Sequence, residues 1–168
     1  MRFVAFIKGQ FNSSELIGAS SVVLWDKDKT EVLYQWAKGR KCNQEKKNRS
    51  YEQELGSVIK AVMSVPKGSS IELYSNQQIL VRCLKGEYEP SSYLELFEKF
   101  VQEKEHRHVD VDFRWVKGDP DDPDRQLADS LCLQVSNLVR ESGKSEIIET
   151  ENHCFDGEDM PEDFFKLP

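Results

Sequence analysis

From Trp115 to Asp129 the chain reads W-V-K-G-D-P-D-D-P-D-R-Q-L-A-D, with Asp119, Asp121, Asp122 and Asp124 crowded into six positions. Hard divalent cations are held by converging carboxylate oxygens, so a loop this acidic raises metal chemistry first. It lacks the glycine and the terminal bidentate glutamate of a calcium loop, and Pro120 and Pro123 restrict how its ligands could converge. The expectation is therefore a solvated acidic turn in which Asp122 or Asp124 caps the helix that follows. Asp129 falls one turn inside that helix, facing back toward the preceding strand. His106 and His108 have no cysteine or third histidine beside them in sequence. Ser13, Ser14 and Cys42 lack a local motif for nucleophilic catalysis.

The elements around this loop follow from periodicity. Val109 to Val116, V-D-V-D-F-R-W-V, places apolar side chains on alternate positions and reads as a strand. After the turn, Leu127, Leu131, Val135 and Leu138 form one helical stripe from about Arg125. Upstream, residues 2–8 read as a first strand ending at Gly9, residues 18–26 as a second, and residues 30–37 as a third that closes a hairpin with it. Residues 38–49 carry six basic residues and one acidic one, and are expected to be a basic loop. Leu55, Val58, Ile59 and Val62 mark a helix from Ser50 to about Met63, stopped by Pro66 and Gly68. Residues 71–75 read as a strand, a helix capped by Asn76 follows, and a further helix starts at Pro90. The order is βββαβααβα, an α/β class.

The 168 residues suffice for one domain with a core, and 38% hydrophobic with 32% charged residues is ordinary for a soluble protein. No apolar run approaches the roughly 18 residues of a membrane span, and the N-terminus does not read as a signal peptide, so an intracellular, cytoplasmic protein without a membrane partner is expected. Cys42, Cys83, Cys132 and Cys154 show no C-x-x-C pairing, which points to reduced thiols. The net charge of -7 is concentrated in residues 141–168, with nine acidic residues and two basic ones. Residues 1–140 are thus electrically balanced, and a basic patch there is compatible with a nucleic-acid partner. Residues 141–168 are read as an acidic tail, partly disordered or docked on the domain.

The W-V-K-G stretch and the helix carrying Asp129 resemble the last strand and C-terminal helix of type 1 ribonuclease H. The element order across residues 1–140 is similar to that family's fold, which implies a five-stranded mixed sheet flanked by helices. The family carries four carboxylates for two divalent metals, which bind the attacking water and the leaving oxygen at phosphorus. Glu54, in E-L-G-S-V-I-K-A-V, matches its helix glutamate, and Asp129 matches its last aspartate. The first-strand aspartate is replaced by Lys8 in Lys8-Gly9, and the fourth-strand aspartate by Asn76 in Y-S-N-Q-Q. Asp119 stands where the family has a histidine.

The resemblance thus implies a degenerate site, with Lys8 supplying positive charge in place of metal and pairing with Glu54 and Asp129. The expected function is a non-catalytic module that binds nucleic acid, an RNA/DNA hybrid or a single strand, or else a protein partner. No cofactor is expected in that case. The alternative is an active, magnesium- or manganese-dependent ribonuclease in which Asp119 or Asp121 joins Glu54 and Asp129 as a ligand. Lys46, Lys47, Asn48 and Arg49 fall where the family contacts the DNA strand's phosphates. Its basic protrusion with clustered tryptophans is replaced by G-E-Y-E-P-S-S from Gly86, so the grip on a hybrid should be weak at physiological salt.

Overall fold

The computed structural model describes residues 1–44, 46–47, 49–118 and 121–152. Asn48, Asp119 and the stretch 153–168, including Cys154, lie outside the described residues.

Three antiparallel strands open the chain: β1 (Arg2–Asn12), β2 (Ile17–Asp26) and β3 (Val32–Lys41). Helix α1 (Arg49–Met63) leads to β4 (Ser70–Ser75), which is followed by α2 (Gln78–Leu84), α3 (Leu94–His106) and β5 (Asp110–Trp115). Helix α4 (Pro123–Ser142) and strand β6 (Glu146–Asn152) complete the described chain. The sheet order is β5-β4-β1-β2-β3-β6, with β1, β4 and β5 mutually parallel and the remaining pairs antiparallel.

Both faces of the sheet are covered, which explains why β1 and β2 are buried almost continuously rather than on alternate positions. Phe3, Ala5 and Ile7 of β1 join Leu55, Val58 and Val62 of α1 in the main core. Val4 and Phe6 point the other way and pack with Ala128 of α4. Helix α1 is buried on nearly every side, as expected of a helix held between a sheet and a covering helix. Two glycines allow the helices to approach. A Cβ on Gly9 would lie 2.1 Å from Glu54 N, and one on Gly39 would lie 2.7 Å from the Val135 carbonyl oxygen.

Helix α4 starts as expected: Asp122 caps it by accepting from Asp124 N at 3.0 Å, Pro123 occupies the first turn, and Gly143 ends it at φ 69°. Three expectations are corrected. The sheet has six strands rather than five, because residues 146–152 of the acidic stretch pair antiparallel with β3. Residues 38–41 belong to β3 rather than to a loop, because β2 and β6 flank them on either side. Lys38 is buried there, 3.4 Å from Glu146. Asn76 does not cap α2: the N-cap is Gln77, whose side chain makes no capping bond, while Ser75 Oγ accepts from Gln77 N at 3.1 Å.

Candidate functional site

The pairing of β1 with β4 ends at Phe6 and Tyr74 and that of β4 with β5 at Ser75 and Trp115, so Lys8, two residues further along the longer β1, stands in line with Ser75, Asn76 and Trp115 at the carboxyl ends of β4 and β5. Such strand ends are where open α/β sheets bind ligands. Glu54 arrives from α1 on one face and Asp129 from α4 on the other. The sequence reading of Lys8, Glu54, Asn76 and Asp129 therefore corresponds to residues on adjoining elements of one sheet edge.

Glu54 is fully buried. Gly9 N donates to its Oε1 at 3.0 Å and Ser75 Oγ donates to its Oε2 at 2.5 Å. Burial pushes the carboxyl up to about 7, opposed by the Ser75 and Gly9 hydrogen bonds and by the charges of Lys8 and Arg125. The same closeness that makes a side chain at position 9 impossible is what aims the Gly9 N–H at this carboxylate.

Asp129 meets two cations. Lys8 Nζ is 3.8 Å and the Arg125 guanidinium 3.9 Å from its Oδ1, a buried atom that accepts no hydrogen bond among the described residues. Arg125 is itself buried. The β1 backbone around Lys8 is tied to both helices: Ser57 Oγ donates to the Lys8 carbonyl at 3.0 Å, and the Cys132 thiol lies 3.5 Å from the same oxygen. Ser21 Oγ donates to the Ala128 carbonyl at 2.7 Å, fixing α4 against β2 one residue before Asp129. Burial pushes the Cys132 thiol up to about 12, so it is an inert, neutral packing group.

The expected pairing of Lys8 is thus half realised, since its ion-pair partner is Asp129, while Glu54 takes its hydrogen bonds from Ser75 and Gly9. Arg125 and Ser75 escaped the sequence reading. Arg125 was findable from its i,i+4 spacing to Asp129; Ser75 carries no local signal, because its role exists only once β4 lies beside β1. Asn76 contributes its carbonyl, which accepts from Trp115 Nε1 at 3.3 Å. The Trp115 side chain is 46% exposed next to it.

A pair of divalent cations needs several converging carboxylates. Among the described residues no three of His, Cys, Asp and Glu gather in that way. Both oxygens of Glu54 are occupied by donors, and Asp129 faces a lysine and an arginine. These residues do not fit a two-metal centre.

Of the residues expected to meet nucleic acid, Lys46 and Lys47 are exposed. Arg49 is not: it is 8% exposed, with its guanidinium 2.9 Å from Glu52 and donating to the Gln44 carbonyl at 3.1 Å. It anchors the start of α1. Cys42, Cys83 and Cys132 are free thiols. No helix among the described residues is long and apolar enough to cross a membrane.

No family model and no curated protein matches the chain. Solved structures do. The N-terminal RNase H domain of a Mycobacterium tuberculosis protein, solved as a fusion with maltose-binding protein, superposes at TM-score 0.67 and 13% identity, covering 85% of this chain and 99% of that one. An RNase H1 isolated from compost by a metagenomic approach gives TM-score 0.60 and 15% identity over 83% of this chain and 98% of that one. RNase H1 of the halophilic archaeon Halobacterium salinarum gives 0.56 and 17% over 80% and 96%.

Proposed function

The chain has a ribonuclease H-like fold, and on that premise we propose that it is a non-catalytic member of the fold, which binds an RNA/DNA hybrid or single-stranded nucleic acid without cleaving it. One observation carries the reading: the charge facing Asp129 is supplied by Lys8 and Arg125, at 3.8 and 3.9 Å. Lys8, standing in for the first-strand aspartate of type 1 ribonuclease H, sets an ammonium beside Asp129 and removes an oxygen donor that two-metal hydrolysis would use. Asp129 already has Lys8 and Arg125 as counter-charges, and both would repel a divalent cation approaching the same carboxylate.

Binding is assigned to the strand-end edge and the adjoining pre-helix segment. Lys46 and Lys47 neutralise backbone phosphates, and the half-exposed Trp115 ring offers a face on which a base can stack. With only a few such contacts the affinity is modest and falls steeply with salt. Fluorescence anisotropy of labelled hybrid, with magnesium and then with a chelator, tests this reading. Equal affinity in both conditions supports it, and binding that requires the metal contradicts it.

A further inference from the structure

We infer that a cavity bounded by β3, α1 and α3, on the α1 face of the sheet, is a binding site for a nucleoside 5′-monophosphate, free or as the phosphorylated end of a strand. Its volume is about 500 Å³, within the range of small-molecule sites. Trp36, Ile59 and Leu96 supply apolar wall, and Lys38, Arg40 and Lys99 add three cations to the lining, with Arg40 and Lys99 close enough to act on Lys38.

The charges there are not balanced. Glu52 is shared between Arg40 at 2.6 Å and Arg49 at 2.9 Å, so one carboxylate serves two guanidinium groups. Lys38 has Glu146 at 3.4 Å, yet it also lies within the like-charge fields of Arg40 and Lys99. Arg40 Nε is buried and meets no acceptor among the described residues. With Lys46 also on the lining and Glu95 the other carboxylate there, the wall carries an excess of positive charge. A phosphate monoester brings a double negative charge and a fan of acceptors to such a group, and the apolar wall covers the organic body it is attached to.

Gly56 points the same way. It lies in the interior of α1, where glycine is a poor helix former, and a Cβ there would meet nothing within 4 Å. Packing does not require a glycine at this position. It lines the cavity, and its missing side chain keeps the floor open.

Titration calorimetry on the full chain tests the inference, with AMP as the probe and adenosine and inorganic phosphate as its two halves. The expected result is AMP binding, with each half at least about tenfold weaker. A short oligonucleotide bearing a 5′-phosphate, compared with its 5′-hydroxyl form, distinguishes a strand end from a free nucleotide. Preference for the phosphorylated end supports the site, as does binding of AMP itself. Gly56→Phe should abolish binding and Lys99→Gln should weaken it at least about tenfold. Failure of both AMP and the phosphorylated strand, or AMP binding untouched by Lys99→Gln and Gly56→Phe, overturns the inference. The site shares Lys46 with the proposed nucleic-acid surface but is separate from Lys8 and Asp129, on which the non-catalytic reading rests, so its failure leaves the proposed function standing.

Discussion

Ser75 Oγ, at the end of β4, donates to Glu54 Oε2 of α1 at 2.5 Å, and with the Gly9 N–H it occupies both oxygens of a fully buried carboxyl. This carboxyl titrates at about 7 in the folded chain against 4.5 as its ordinary value.

The sign of the pH dependence follows. Between these two values the folded chain holds a proton that the unfolded chain has released, so stability falls as pH rises from about 4.5 to about 7 and stays lowered above that. The difference is on the order of 3 kcal/mol. Glu54→Gln should remove this part of the pH slope, which urea unfolding of parent and variant between pH 4.5 and 8 would measure. A slope unchanged by the substitution would mean that Glu54 is ionised in the fold.

Gly9→Ala should be severely destabilising, by about 3 kcal/mol or more, because the new Cβ would sit 2.1 Å from the Glu54 nitrogen and α1 cannot withdraw without opening the core. Thermal unfolding would register the loss. Gly56→Ala, in the same structural unit but facing open space, should instead gain up to about 1 kcal/mol.

The contrast among the basic residues before α1 is a third prediction. Lys46→Ala and Lys47→Ala should leave the thermal midpoint almost unchanged and weaken the salt dependence of nucleic-acid binding, the logarithmic slope falling by about one for each phosphate no longer neutralised. Arg49→Ala should lower stability, since Glu52 and the Gln44 carbonyl lose their buried partner. A variant of Arg49 that is fully stable but binds poorly would place that residue at the interface after all.

How much of this was legible beforehand depended on how local the signal was. The turn into α4 was readable because the proline, the aspartate cap and the apolar stripe all lie within the segment itself. Periodicity placed the helices that carry Glu54 and Asp129, but only the resemblance to type 1 ribonuclease H singled out these two carboxylates on them. β6 was not readable: E-I-I-E-T-E-N is acidic, and it becomes a strand only because β3 offers an edge with Lys38 close to Glu146. For the same reason residues 38–41 looked like loop, since buried lysine is rare without a partner and the partner is more than a hundred residues away. The Ser75 hydrogen bond depends equally on a distant neighbour, whereas Arg49 is held by Glu52 and the Gln44 carbonyl, three and five positions away.

Restoring carboxylates should restore metal binding. Lys8→Asp combined with Asn76→Asp would set two new oxygen donors near Glu54 and Asp129, and the double variant should gain thermal stability on addition of manganese. The parent chain should show no such gain. Stabilisation of the parent by manganese, lost in Asp129→Asn, would mean that its existing carboxylates already form a metal site.

Lys8 and Arg125 face Asp129 at 3.8 and 3.9 Å, and we propose that they take the place of metal ions there. Incubating the full chain with fluorescent RNA/DNA hybrid and magnesium or manganese, beside an Asp129→Asn control, tests it most directly. Both proteins should bind the hybrid and leave it intact. Metal-dependent cleavage by the parent that disappears in Asp129→Asn would contradict it.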